Sequence, residues 1–433
     1  MGRRAFVFVL ALAAAASASA QTTDRKLALL IPTLYGPNGL IVNSQALLPD
    51  GSTHSAHFNS GFQAEFNQFN IALASQLAAV PLPSPASGYT YEFDSTLGVF
   101  KRSTQSFGPL LSDRAETIGK GKFTFGFTYQ GFTFDTIEGL DLDQVPAVFT
   151  HDDFELGGGR SDVVTTVNSI DATVNRFVSF LTYGLSNRID VALAIPIVAV
   201  DMRITSRASV RRIGTADPAV HFFRDAQGGF GSQREFVASG GASGLGDMIL
   251  RVKGAAPRSG PTSLAFALDV RFPTGDEEDL LGSGAWGAKP IIIFSWALGK
   301  VAPHVNLAYQ WNGQSLLGGD ITARQEGNLP NQFFFALGAD VGLTPKVTLA
   351  FDLLGQRVVD SPRLQESDFV AANGQTFPNI HFERSSFNVT NASVGAKVNA
   401  GGSLLVDLSV LVRLNGAGLR DTVTPLVGFE YSF

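Results

Sequence analysis

The chain has 433 residues, is 45% hydrophobic and 16% charged, and holds no cysteine, which excludes disulfide scaffolds and thiolate-ligated metal sites. Its charged fraction lies below the roughly 25% of soluble domains, yet past the N-terminus no apolar run nears the ~18 residues of a spanning helix. The best such run, Val191 to Val200, contains Pro196, and a formal charge of −6 opposes nucleic-acid binding, which needs a basic face.

The first twenty residues read as a secretory signal. Arg3 and Arg4 form the basic region, Ala5 to Ala16 the apolar region, and Ala18-Ser19-Ala20 the cleavage site before Gln21. Their removal takes away two arginines and no acid, moving the charge from −6 to −8. The mature chain is therefore expected to be exported. Residues 21–121 then form an N-terminal region of their own. An apolar stretch, Leu27 to Val42, carries turn signals at Tyr35-Gly36-Pro37-Asn38-Gly39. One amphipathic helix is predicted near 59–80, capped by Asn59 or Ser60, with Phe62, Phe66, Phe69 and Leu73 on its apolar stripe and Asn70 among the polar residues opposite. Pro81, Pro83 and Pro85 end it. A small hairpin joins Tyr89–Phe93 to Val99–Arg102. Two placements stand for this region: a plug in a lumen, or a periplasmic or partner-binding segment beneath it.

From residue 122 to 433 the period becomes two. Phe123, Phe125, Phe127 and Tyr129 alternate with Thr124, Gly126, Thr128 and Gln130, and Leu404 to Arg413 and Val423 to Phe433 repeat the pattern. Strands are predicted near 123–136, 168–183, 189–205, 244–255, 262–272, 286–297, 301–311, 332–342, 346–358, 384–398, 402–414 and 423–433. Many reach the roughly 9 to 11 residues of a tilted bilayer span. Short turns alternate with long polar loops, among them 138–167, 206–243 and 359–383. The fold class is thus all-β, a transmembrane antiparallel β-barrel of about twelve strands, with fourteen allowed, which leaves no backbone group unpaired in lipid. An aromatic terminus, Phe433, suits recognition by the outer-membrane assembly machinery. An even strand number puts the mature N-terminus and Phe433 at the short-turn, periplasmic end.

Three stretches resemble a known family: S-F-G-P-L-L-S-D-R-A-E-T-I-G-K-G-K (Ser106 to Lys122), G-L-G-D (Gly244 to Asp247) and F-P-T-G-D-E-E-D-L-L-G-S-G (Phe272 to Gly284). They are similar to the outer-membrane proteins of the meta-pathway of phenol degradation, a transporter-like family distantly like the long-chain fatty-acid outer-membrane channels. The similarity runs from about Leu27 to Phe433. It implies an outer-membrane barrel that handles hydrophobic or aromatic compounds, and it carries over no catalytic residue.

Chemical constellations are sparse. The acidic run Asp276, Glu277, Glu278 and Asp279 is a weak metal candidate that lacks EF-hand spacing. Among six histidines, His304 alternates to the lumen face and has no serine nucleophile at a sensible spacing. The lumen face otherwise gathers Asp247, Arg251, Lys253, Asp269, Arg271, Asp340, Asp352, Asp407, Arg413 and Glu430, a mixed-sign set suited to cross-strand pairing. The reading is an outer-membrane channel, not an enzyme, for passive uptake of small hydrophobic or aromatic compounds. A structural or adhesive barrel is the alternative, and an outer-membrane hydrolase a weaker one. Expected partners are outer-membrane lipid, the assembly machinery and the solute, with no cofactor and no nucleic acid. The location is the outer membrane of a Gram-negative-type bacterium.

Overall fold

The computed structural model describes residues 26–36, 39–47, 51, 56–59, 68–72, 74, 88–94, 99–102, 105–151, 162–214 and 216–433. The expected signal, 1–20, lies outside them, as do Phe62, Phe66 and Leu73 of the expected helix.

Alternating side chains give a ring of twelve strands. These are β1 (Phe123–Phe134), β2 (Asp162–Ser186), β3 (Ile189–Arg212), β4 (Gln233–Leu245 and Met248–Ala255), β5 (Thr262–Phe272) and β6 (Gly287–Trp296). They continue with β7 (Val301–Asn312), β8 (Gln332–Thr344), β9 (Val347–Val370), β10 (Thr376–Gly401), β11 (Leu404–Arg413) and β12 (Val423–Ser432). Each pairs antiparallel with its neighbours, and β12 closes on β1 with Phe429 opposite Phe127. Fourteen strands are not needed for closure.

The ladder between β3 and β4 is interrupted at Pro196. Pro196 has no N–H to give β4, and at that height β4 breaks at Gly246-Asp247, the Gly246 N–H reaching the Pro196 carbonyl at 2.9 Å. Outward residues such as Phe266, Phe351, Leu408 and Val427 are exposed, as a lipid-facing surface requires. Exposed aromatics mark both rims: Phe123, Tyr431 and Phe433 at the turn end, Trp286 and Trp311 at the loop end.

Five strands run well past their expected bounds; one is β4, which begins at Gln233 and so takes part of the predicted loop 206–243. β2, β3, β9 and β10 run 25, 24, 24 and 26 residues. The predicted loop 359–383 is largely strand, with Arg363 paired to Glu383 and Gln365 to His381, so only 371–375 remain as connection. Beyond the bilayer a hairpin needs no apolar face, so the periodicity that marks a strand disappears while the ladder continues. A left-handed Asp360, φ 48°, sits where the register shifts between Val358 and Ser361.

The N-terminal region touches both ends of the barrel. At the loop end Leu40–Val42 pairs with Ala56–Asn59, which pairs with Val145–His151, which joins the edge of β2. Lys26 bonds Asp276 and Asp279 in the β5–β6 loop at 2.8 and 2.6 Å. Lys26 therefore lies at the loop end, correcting the expectation that parity fixes the N-terminus at the turn end. Parity governs only where β1 begins, and the preceding residues reach past it. Residues 68–72 are helical, with Phe69 buried in one core with Leu27, Leu30, Val200 and Met202. Asn70 departs from its expected polar face. It is buried, and its Nδ2 donates to the Ala28 carbonyl at 2.8 Å, satisfying both groups.

At the turn end the expected hairpin forms, Tyr91–Asp94 pairing with Val99–Arg102. Residues 105–121 then cross inside the ring without regular structure, held through their backbone. Phe107 N–H donates to Thr348 Oγ1, Asp113 N–H to Asn306 Oδ1, Ala115 N–H to Ser295 Oγ and Ile118 N–H to Asp190 Oδ2. The segment thus runs from β9 past β7 and β6 to β3 before it enters β1.

Candidate functional site

The period-two pattern of β1 turns inward aromatics toward the loop end. Thr124, Thr128 and Gln130 face inside near the turn end, and Phe132 and Phe134 follow on the same face, their rings stacked at 6.2 Å. With Phe334 of β8, Ile291, Leu354 and Leu411, they line a cavity of about 140 Å³. Its floor is the inner segment at Leu111, Ser112 and Asp113, and Leu419, Arg420 and Asp421 of the β11–β12 loop close another side. None of the phenylalanines stood out in the sequence as a site, although the alternation of β1 already assigns Phe132 and Phe134 to the inner face.

One side of the cavity is charged. Arg251 grips Asp269 at 2.5 and 2.7 Å and Asp113 at 2.7 Å. Lys289 Nζ lies 3.3 Å from Asp269 and 5.4 Å above the Phe334 ring. Lys289 shares the inward face of β6 with Ile291 and Ile293, and that alternation was the signal for it. Burial, and then the Arg413 guanidinium, pull Arg420 down to about 10.

Below the cavity, Asp352 accepts from Ser112 Oγ at 2.5 Å, Leu111 N–H at 3.3 Å and His304 Nε2 at 2.9 Å. Nδ1 of His304 stands 3.5 Å from Asp340. Serine, histidine and aspartate thus meet, but both the serine and the histidine address the same carboxylate oxygen. The serine proton is directed at Asp352 and not at His304, so no serine–histidine relay is assembled, and the cluster ties the inner segment to the wall.

The other inward charges are distributed around the ring. Lys253 Nζ donates to the Glu116 and Arg114 carbonyls at 2.6 and 3.3 Å, and Glu430 accepts Gly88 N–H at 2.7 Å. Asp247 takes the N–H and hydroxyl of Ser283 at 2.8 and 2.6 Å and Gly275 N–H at 3.2 Å. The G-L-G-D aspartate therefore fastens the F-P-T-G…G-S-G loop. Arg271 meets Asn312 and the Ala285 carbonyl, with Asp247 at 3.7 Å, and Asp407 lies 3.9 Å from Lys397. Arg413 pairs with Asp135 at 2.8 Å near the loop end. In the acidic run, Asp276 and Asp279 hold Lys26, Glu277 accepts from Ser315, and Glu278 pairs with Arg324. Lys26, Ser315 and Arg324 thus each take up part of the run.

A closed twelve-stranded ring with an apolar exterior and a cavity inside defines a transmembrane β-barrel of the outer-membrane class. Residues 151–357 match the family described as "Putative MetA-pathway of phenol degradation", so the resemblance read from the sequence is borne out over that stretch. Among solved structures, an outer membrane channel from Pseudomonas putida F1 is 15% identical, with 74% of this chain and 98% of that one covered and a TM-score of 0.46. The CymD monoaromatic hydrocarbon channel is 11% identical over 73% and 89% of the two chains, TM-score 0.32. A Pseudomonas aeruginosa FadL homologue is 9% identical over 72% and 88%, TM-score 0.30. No curated protein matches the sequence.

Proposed function

We propose that the protein is an outer-membrane channel for passive uptake of small hydrophobic or aromatic compounds, with the N-terminal region as its plug. The observation that carries this reading is the phenylalanine-lined cavity of about 140 Å³ between the inner segment and the wall. A purely structural or adhesive barrel would fill that space with side chains. An apolar compartment bounded by a few polar groups suits a small organic solute. In this reading the turn end faces the periplasm, the loop end the outside, and the last strand with Phe433 serves the assembly machinery.

The test is to fill the cavity. Ala336 is buried and lines it, and Ala336→Trp is expected to bring uptake of toluene by expressing cells to the level of cells without the protein. Heat-modifiable gel migration checks that the variant still folds. Undiminished uptake through a folded Ala336→Trp barrel rejects the channel reading in favour of the structural one. Orientation is tested separately: a tag at Gly228, a left-handed loop tip at φ 83°, should be labelled on intact cells, and one at Asn187 should not.

A further inference from the structure

The cavity in which the channel reading places its solute is chemically uneven, and that unevenness narrows the solute class. Its size sets the first limit. About 140 Å³ is close to an engineered cavity of about 150 Å³ that holds one benzene, so there is room for a single ring. Phe132 and Phe134 from β1, and Phe334 from β8, offer that ring its apolar contacts.

The polar inventory sets the second limit. The carboxylates are taken: Asp113 by Arg251 at 2.7 Å, and Asp421 by Thr424 Oγ1 at 2.8 Å and the N–H groups of Thr133 and Val423. Asn306 Oδ1 accepts the Asp113 N–H at 2.6 Å. Donors are less fully used. An ammonium has three N–H groups, and the carboxylate beside Lys289 Nζ is Asp269 at 3.3 Å, which Arg251 already holds by two shorter bonds. Among the described residues, Nε2 of Gln356 and Nε of Arg420 have no hydrogen-bond partner, and both side chains border the cavity. A site whose spare groups are donors and cations favours a ligand that brings an acceptor and negative charge.

We propose that the cavity selects a single-ring aromatic carboxylate of the benzoate type, its ring among the phenylalanines and its carboxylate on Lys289 Nζ. The Nζ position above the Phe334 ring puts the cation within one ring's length of the apolar wall. This proposal rests on the channel reading and adds the charge of the solute to it.

The experiment is titration calorimetry of the full, detergent-solubilised barrel with benzoate and, separately, with toluene. Benzoate is expected to bind more tightly. Lys289→Met should lower the benzoate-to-toluene affinity ratio by about tenfold, the scale of one hydrogen bond to a charged group, and Lys289→Arg should restore most of it. Heat-modifiable migration confirms that each variant is folded. Toluene binding as tightly as benzoate, or Lys289→Met weakening both alike, overturns the proposal and leaves the channel reading standing. Failure of the unmodified barrel to bind either compound overturns both.

Discussion

At Asp352 a single carboxylate joins the inner segment to the wall. Asp352→Ala strands the Ser112 hydroxyl, the Leu111 N–H and His304 together, and loss of one partner from such a buried cluster costs about 3–5 kcal/mol. Asp340→Ala, whose carboxylate stands 3.5 Å from His304, should cost less; urea unfolding compares the two, and equal losses would reject Asp352 as the anchor. On the outer face, Leu408 is 54% exposed, so Leu408→Arg should destabilise the barrel by about 2–4 kcal/mol while Ser409→Arg is milder. Loss of folded barrel to the same degree in both would contradict the face assignment. At the loop end, partial burial pushes Asp276 up, but the Lys26 ammonium and the N–H groups of Asp279 and Glu278 outweigh it and hold the carboxyl below its ordinary 3.8. A depressed carboxylate contributes stability above its unfolded value and loses it as pH falls through its folded one. The Ala28 N–H donates to the Glu278 carbonyl beside this pair at 2.9 Å, so its exchange, corrected for intrinsic pH dependence, should stay slow from neutral pH to 3.8 and quicken only below.

Between strands, legibility follows the environment. In β1 and β12 the lipid imposes an apolar residue at every second position, so both elements could be read directly from Phe123 to Phe134 and Val423 to Ser432. Above the lipid that demand ends, and the outer parts of β9 and β10 carry Arg363, Gln365, His381 and Glu383, which look like loop while they pair as ladder. Their position past the closed ring gives a prediction: replacing 361–385 by a short Asn-Gly turn should leave a barrel that still shows heat-modifiable migration, despite the lost Arg363–Glu138 pair at 2.5 Å, the Val148–Asn379 bond and the packing of Leu364 and Ile380. Residues 105–121 were illegible for a different reason. Their shape is dictated by Thr348, Asn306, Ser295 and Asp190 on distant strands, and no local period encodes a path drawn by partners far away in sequence. What did mark them was the family-like run Ser106 to Lys122. The site was half legible: the charged face was visible by alternation, whereas the cavity exists only where Phe132 and Phe334, from strands not adjacent in the ring, come together.

On the scale of the whole barrel, the N-terminal region covers the loop end and crosses near the turn end. Deleting 21–85 removes the loop-end cover and leaves the backbone anchors of 105–121, so ion conductance in planar bilayers should rise; unchanged conductance would reject the plug. The crossing segment has a geometric consequence as well. It is bonded in turn to β9, β7, β6 and β3 before it runs into β1, so it lines one half of the ring from inside. Strands that are not neighbours in the sheet are thereby joined through one short stretch of backbone. Stretching or flattening that half of the ring therefore has to break bonds to Thr348, Asn306, Ser295 or Asp190, so the inner lining and the wall give way together.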